Sequence, residues 1–147
     1  MGAGRVKRWS AREERGAAAV EFALVAPLLL LLVFGIISYG YMLSFRQAVS
    51  QAAAEGARAA AVAQLNQDRE QLATDAVNAA ISSYQGITCA DAAMTCTITV
   101  AECPDDGSPA YATIDLSYAY AENPLLPTLM VPMPDTLDYT ATAQVSC

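Results

Sequence analysis

Twenty-two consecutive residues, from Phe22 to Leu43, carry no charge: FALVAPLLLLLVFGIISYGYML. As a helix this run is roughly 33 Å long, enough to cross a hydrocarbon core of ~30 Å. Between Arg15 and Arg46 the one formal charge is Glu21. A cleaved secretory signal is the competing reading. Its apolar region is usually only ~7–15 residues long, and a small-residue cleavage site follows. Here the run is longer, and Ser38-Tyr39-Gly40 is followed by more apolar sequence. The segment therefore reads as a retained membrane helix. Tyr39 and Tyr41 stand near one end, where amphipathic rings favour the interface. Pro27 removes a backbone donor inside the span and is expected to kink it, which membrane helices tolerate when neighbours satisfy the freed carbonyl. Gly35 and Gly40 leave flat spots where a second helix could approach.

Charge on the two sides of the span is opposite in sign. Residues 1–16 hold five basic groups (Arg5, Lys7, Arg8, Arg12, Arg15) against Glu13 and Glu14. From Leu43 onward three basic groups face twelve acids. Basic residues are retained on the cytoplasmic side of a first span, so the N-terminus reads as inside and the acidic body as outside. Nucleic acid is excluded as a partner, because an acidic body repels phosphate and the apolar run needs lipid or protein around it.

The four cysteines, Cys89, Cys96, Cys103 and Cys147, all fall on the outer side. An even count in an oxidising compartment suggests two disulfides, with three possible pairings. A metal site is not expected: there is no C-x-x-C pair and no histidine. The missing histidine also excludes Ser-His-Asp and Cys-His catalysis. The carboxylates show no clustering, so neither an enzyme nor a cofactor is expected.

The head, residues 1–16, lacks apolar periodicity and is expected to be unstructured or to lie on the membrane surface. Residues 17–45 form the span. Residues 46–85 are rich in helix formers, contain no proline and predict a helical continuation to Tyr84. Its apolar face is Ala48, Ala52, Val62, Leu65, Leu72, Ala76 and Ala80, with a bend at Gly56 or at Asn66-Gln67-Asp68. Residues 86–147 switch to strand and turn. Thr95–Val100, Ala112–Ala121 and Leu137–Val145 alternate with period two. The second strand should present Ile114, Leu116, Tyr118 and Tyr120 on one face; the third, Leu137, Tyr139, Ala141, Ala143 and Val145. Pro104–Pro109 reads as a turn, since the Asp-Asp-Gly triplet is not followed by calcium-loop spacing. The four prolines between Asn123 and Pro134 predict a rigid loop, with a helical turn at Leu125–Met130. The fold class is α+β: a long N-terminal helix, then a small antiparallel sheet of three or four strands, simplest as a meander. In a meander the first and third strands run the same way, which brings Cys103 near Cys147, while Cys89 and Cys96 flank a short loop. The preferred pairing is accordingly Cys89–Cys96 with Cys103–Cys147.

The segment Arg15-Gly16-Ala17-Ala18-Ala19-Val20-Glu21-Phe22-Ala23-Leu24-Val25-Ala26-Pro27 carries the chemistry. A glycine between head and span offers a protease an extended, unhindered peptide bond. A chain cut there would begin at Ala17, whose amine could pair with Glu21 of an adjacent copy and fix the stagger between helices. Alternatively, Glu21 simply faces headgroups at the helix start, where its charge suits the dipole. This segment resembles the type IV pilin-like signal of the TadE-like family of tight-adherence (Flp/Tad) pilus systems. Gly16, Glu21, Phe22, Ala23–Pro27 and the leucine run Leu28–Leu32 carry the match, which covers residues 15 to about 45. The resemblance implies a pilin-like fold and cleavage after Gly16 by a prepilin peptidase. It makes Ala17 the mature N-terminus and Glu21 and Phe22 the recognition and assembly residues. It further implies a bacterial inner-membrane pseudopilin with its C-terminal domain in the periplasm or the fibre. Lipid, other pilin subunits and the Tad assembly platform would be its partners, and cell adhesion its setting. An unprocessed, membrane-anchored periplasmic binding or scaffold protein is the alternative.

Overall fold

The computed structural model describes residues 10–64, 67–127 and 132–146, with side chains from Gly16 onward. Helix α1 spans Ser10–Val62, 53 residues, or roughly 80 Å at helical rise. It runs through Pro27 as one element. Residues 10–15, expected to be irregular, are helical, consistent with the helix propensity of Ala, Arg and Glu. Residues 1–9 lie outside the described set.

The helix predicted from Arg46 to Tyr84 is two elements. α1 ends at Val62, and α2 (Arg69–Ile81) runs back alongside it. Tyr84 meets Tyr41 and Phe45, while the Arg69 guanidinium reaches the Ala63 carbonyl, so the pair is antiparallel. The break is built by capping. Asp68 takes extended backbone geometry and accepts a hydrogen bond from the Gln71 N–H at 3.0 Å. Such a cap satisfies one of the amides left bare at a helix start. The Gln64 amide donates to the Gln67 side chain, closing the turn. Gly56, read from sequence as a bend, is a contact point between helices, because Val77 and Ala73 lie directly against it.

Three strands follow: β1 (Met94–Val100), β2 (Ala110–Tyr118) and β3 (Leu137–Val145), paired antiparallel in the order β1-β2-β3. Cys96 pairs with Leu116, and Leu116 with Tyr139. The alternation read from the sequence holds: Ala110, Ala112, Ile114, Leu116 and Tyr118 of β2 are buried, as are Leu137 and Val145 of β3. Of the apolar face expected on the helices, Ala48 and Ala52 are buried, Leu72, Ala76 and Ala80 are half-buried, Val62 is exposed and Leu65 lies outside the described residues. The core further takes Phe45, Val49, Ala53, Ala57 and Ala60 from α1, with Ala73, Val77 and Ile81 from α2. α1 covers β3 and β2, and α2 leans toward β1. The helical turn expected at Leu125–Met130 falls partly outside the described residues; 121–126 form turns and bends.

Candidate functional site

Burial divides α1 sharply. From Gly16 to Ile37 no side chain is buried, and Ser38 is the first that is. This leaves 22 bare residues, roughly 33 Å of helix, the length of a hydrocarbon core. The most apolar 18-residue window has a mean hydropathy of 2.7, and none of it is covered by the rest of the chain. A helix apolar on all sides and packed against nothing needs a lipid or a protein partner. Among the described residues one helix is thus long and apolar enough to cross a membrane.

Gly16, Ala17, Glu21, Phe22 and Pro27 all sit on this rod. Glu21 is exposed and forms no ion pair with a described residue. Phe22 beside it is 71 % exposed. Space around Gly16 is open: a Cβ added there would meet nothing within 4 Å. The peptide bond after Gly16 is helical rather than extended, because α1 begins six residues earlier. Cleavage there requires local unwinding, and a mid-helix glycine lowers that barrier by about 1 kcal/mol relative to alanine.

Where the rod meets the domain, aromatic side chains gather. Tyr41, Phe45, Tyr84, Tyr118 and Tyr120 form a chain of edge-to-face contacts with centroids 4.8–6.2 Å apart. Each such contact adds about 0.5–1.5 kcal/mol beyond its buried area. Burial raises the phenol pKa of Tyr118 and Tyr120 above the ordinary tyrosine value. Ser44 and Tyr84 share a hydrogen bond of 2.7 Å across the same seam. On the outer side of α1 the Arg46 Nε donates to the Tyr139 hydroxyl, and its guanidinium carbon lies 5.9 Å from that ring's centre. The bond to Tyr139 raises the Arg46 pKa further above its already high value. Sequence reading missed this pair, because α1 and β3 meet only in the folded chain.

Cys89 and Cys96 are bridged, with Cα atoms 5.5 Å apart, as the short loop between them suggested. Asn78 holds that loop to α2 through a 2.8 Å bond from the Cys89 N–H. Cys103 is also disulfide-bonded. Its expected partner, Cys147, lies outside the described residues. The Arg69 guanidinium stands 3.9 Å from Cys103 Sγ and donates to the Ser146 carbonyl at 2.7 Å, tying the far end of the sheet to the helix turn. Among the described residues no group of acids and cysteines is placed to hold a metal ion.

A family model described as TadE-like protein matches residues 16–58. That segment is similar to TadE-like proteins. The matched stretch begins at Gly16, takes in the whole bare rod and ends two residues past Gly56, inside the part of α1 that packs on the domain. A TadE-like segment on a helix of membrane length fits a membrane protein associated with a Tad pilus. No curated protein matches the chain. No solved structure matches it either.

Proposed function

We propose that this chain is a pseudopilin of a Flp/Tad adhesion pilus, held in the bacterial inner membrane by residues 17–37 with its sheet domain in the periplasm. The observation that carries the reading is the bare helix from Gly16 to Ile37 with Glu21 as its one acid, inside the TadE-like match. In this reading a prepilin peptidase removes residues 1–16. Ala17 then carries a free α-amine, one helical turn from Glu21. In a bundle of copies that amine neutralises the Glu21 carboxylate of a neighbour, which otherwise is costly in lipid. A wrong stagger leaves both charges unpaired, so the pair sets register. Phe22 and the leucine run supply the packing surface, and the Tad platform and other pilins are the partners.

The test is mass spectrometry of the membrane-bound protein from cells that hold the peptidase. A chain starting at Ala17 is expected, and a predominantly intact Met1 chain would overturn processing. Gly16→Leu should block trimming. Glu21→Ala should leave trimming intact and reduce pilus assembly at least about tenfold, the ratio that losing ~1.4 kcal/mol of pairing produces. Normal assembly of that variant would remove the register role.

One observation favours a second reading, an unprocessed membrane-anchored scaffold protein: α1 is continuous from Ser10 across Gly16. That reading predicts the intact N-terminus and indifference to Gly16→Leu.

A further inference from the structure

Strand β2 descends along α1 toward the rod. Its last residue, Tyr118, meets Phe45 with ring centres 4.8 Å apart. Farther down, Pro132 and Pro134 share a groove of about 470 Å³ with Tyr39 and Met42. Tyr39 stands roughly 3 Å along the axis past Ile37, and Met42 roughly 8 Å. Headgroups occupy about 5–8 Å beyond the hydrocarbon, so this end of the domain stands at their level. The segment there, residues 123–134, reads NPLLPTLMVPMP; it carries no charge and, apart from Asn123 and Thr128, is apolar. Its two limbs leave the domain together, because the Ala121 N–H donates to the Asp135 carbonyl at 3.1 Å. Within the limbs Pro124, Pro127, Pro132 and Pro134 are exposed, and Leu126 and Met133 are half-buried. Proline has no N–H, so those four positions bring no backbone donor that must be stripped of water. Glu122 and Asp135, at the base of the limbs, are exposed.

We propose that the two limbs, residues 124–127 and 132–134, dock on the lipid surface of the membrane that the rod crosses. Continuity selects this occupant. The limbs adjoin the end of the one helix of membrane length among the described residues, at a depth where an apolar, donor-poor surface meets the boundary between headgroups and acyl chains. Burial of Leu126, Met133 and the prolines drives the contact, and the hydrated carboxylates of Glu122 and Asp135 keep it from going deeper. The contact presupposes that residues 17–37 span the membrane, as proposed for the function. Rod and limbs then hold the domain to the bilayer at two places instead of one, which fixes its tilt and rotation before the subunit leaves the membrane.

The experiment is tryptophan quenching by brominated lipid, with the full chain in phosphatidylcholine vesicles. Trp9 is the chain's one tryptophan, so Trp9→Phe gives a silent background for single reporters. Leu126→Trp and Pro132→Trp should lose emission to bromines near the headgroups. Leu29→Trp, in the middle of the rod, should lose it to bromines near the bilayer centre. Tyr111→Trp, at the far end of β2, should lose it to neither. A quenched Leu29→Trp beside an unquenched reporter on either limb overturns the docking and leaves the anchor standing, whereas an unquenched Leu29→Trp sinks the anchor itself. Quenching of Tyr111→Trp as strong as that of the limbs also overturns the docking. Salt at about 1 M should leave the limb signals unchanged, since apolar burial is not screened as charge is. Their loss in salt would assign the contact to charge and overturn the proposal. The unsubstituted chain gives a measurement free of any folding defect: a lipid with a photoactivated diazirine near its glycerol should label the limbs. Cleavage after Glu122 and Asp135 releases them as one peptide, 123–135, in which fragmentation places the label. A labelled rod with unlabelled limbs overturns the proposal.

Discussion

At Gly56 an added Cβ would stand 2.7 Å from Val77 Cγ2 and 3.4 Å from the Ala73 carbonyl oxygen. Val77 is fully buried and β-branched, so it has little freedom to move aside. The missing side chain is what lets α1 and α2 approach closely. Gly56→Val should therefore destabilise the domain by about 1–3 kcal/mol through overpacking, measured by chemical denaturation in detergent. Gly40 provides the contrast, because nothing lies within 4 Å of its would-be Cβ. Gly40→Ala should leave stability unchanged or raise it by up to about 1 kcal/mol from helix propensity. A loss at Gly40 larger than at Gly56 would contradict the assigned packing. The sequence reading gave Gly40 the role of a flat approach surface and Gly56 that of a bend, whereas within the folded chain the close approach falls at Gly56. Phe45 belongs to the same scale. Fully buried between Tyr84 and Tyr118, it should cost about 3–5 kcal/mol when cut to alanine.

The helical hairpin depends on one carboxylate. Asp68 begins α2 by accepting the Gln71 amide, and without it the first turn exposes that donor. Asp68→Ala should cost about 1 kcal/mol, read as a lower midpoint in the same denaturation experiment. Asp68→Asn or Asp68→Ser should recover most of it, because either side chain can accept the same bond. An Asp68→Ala protein as stable as wild type would mean that packing alone sets the turn. The signal was present in the sequence: an N-cap residue with glutamine three positions on is a helix-start pattern. The sequence reading marked Asn66-Gln67-Asp68 as a bend but missed the full reversal, because the surrounding residues are strong helix formers and propensity favours running on. The strands were easier to read. Their alternation needs only a covered face and an open face, and both are local properties of the pattern.

For the molecule as a whole, the aromatic seam between rod and sheet ties stability to alkaline pH. Tyr118 and Tyr120 have phenol pKa values raised by burial, while in the unfolded chain they ionise near ~10. Below pH ~10 both states hold these protons and the contribution is constant. Above it the unfolded chain releases them while the folded one keeps them, so unfolding becomes easier as pH rises toward the folded values. Thermal melts should thus fall steeply above pH ~10, and Tyr120→Phe should flatten that fall. An equal fall in both proteins would place the alkaline sensitivity elsewhere.

The apolar rod, the three alternating strands and the Cys89–Cys96 staple were determined by the sequence itself. Each rests on neighbours close along the chain: a run long enough for a bilayer, a period of two, and two thiols across a short loop. The return of α2 along α1, the close approach at Gly56, the aromatic seam and the Arg46–Tyr139 pair were decided only in three dimensions. Arg46 and Tyr139 are 93 positions apart. No local preference favours such a contact; it exists because α1 must cover β3 to bury the apolar face of the sheet, and that requirement acts on the whole domain at once.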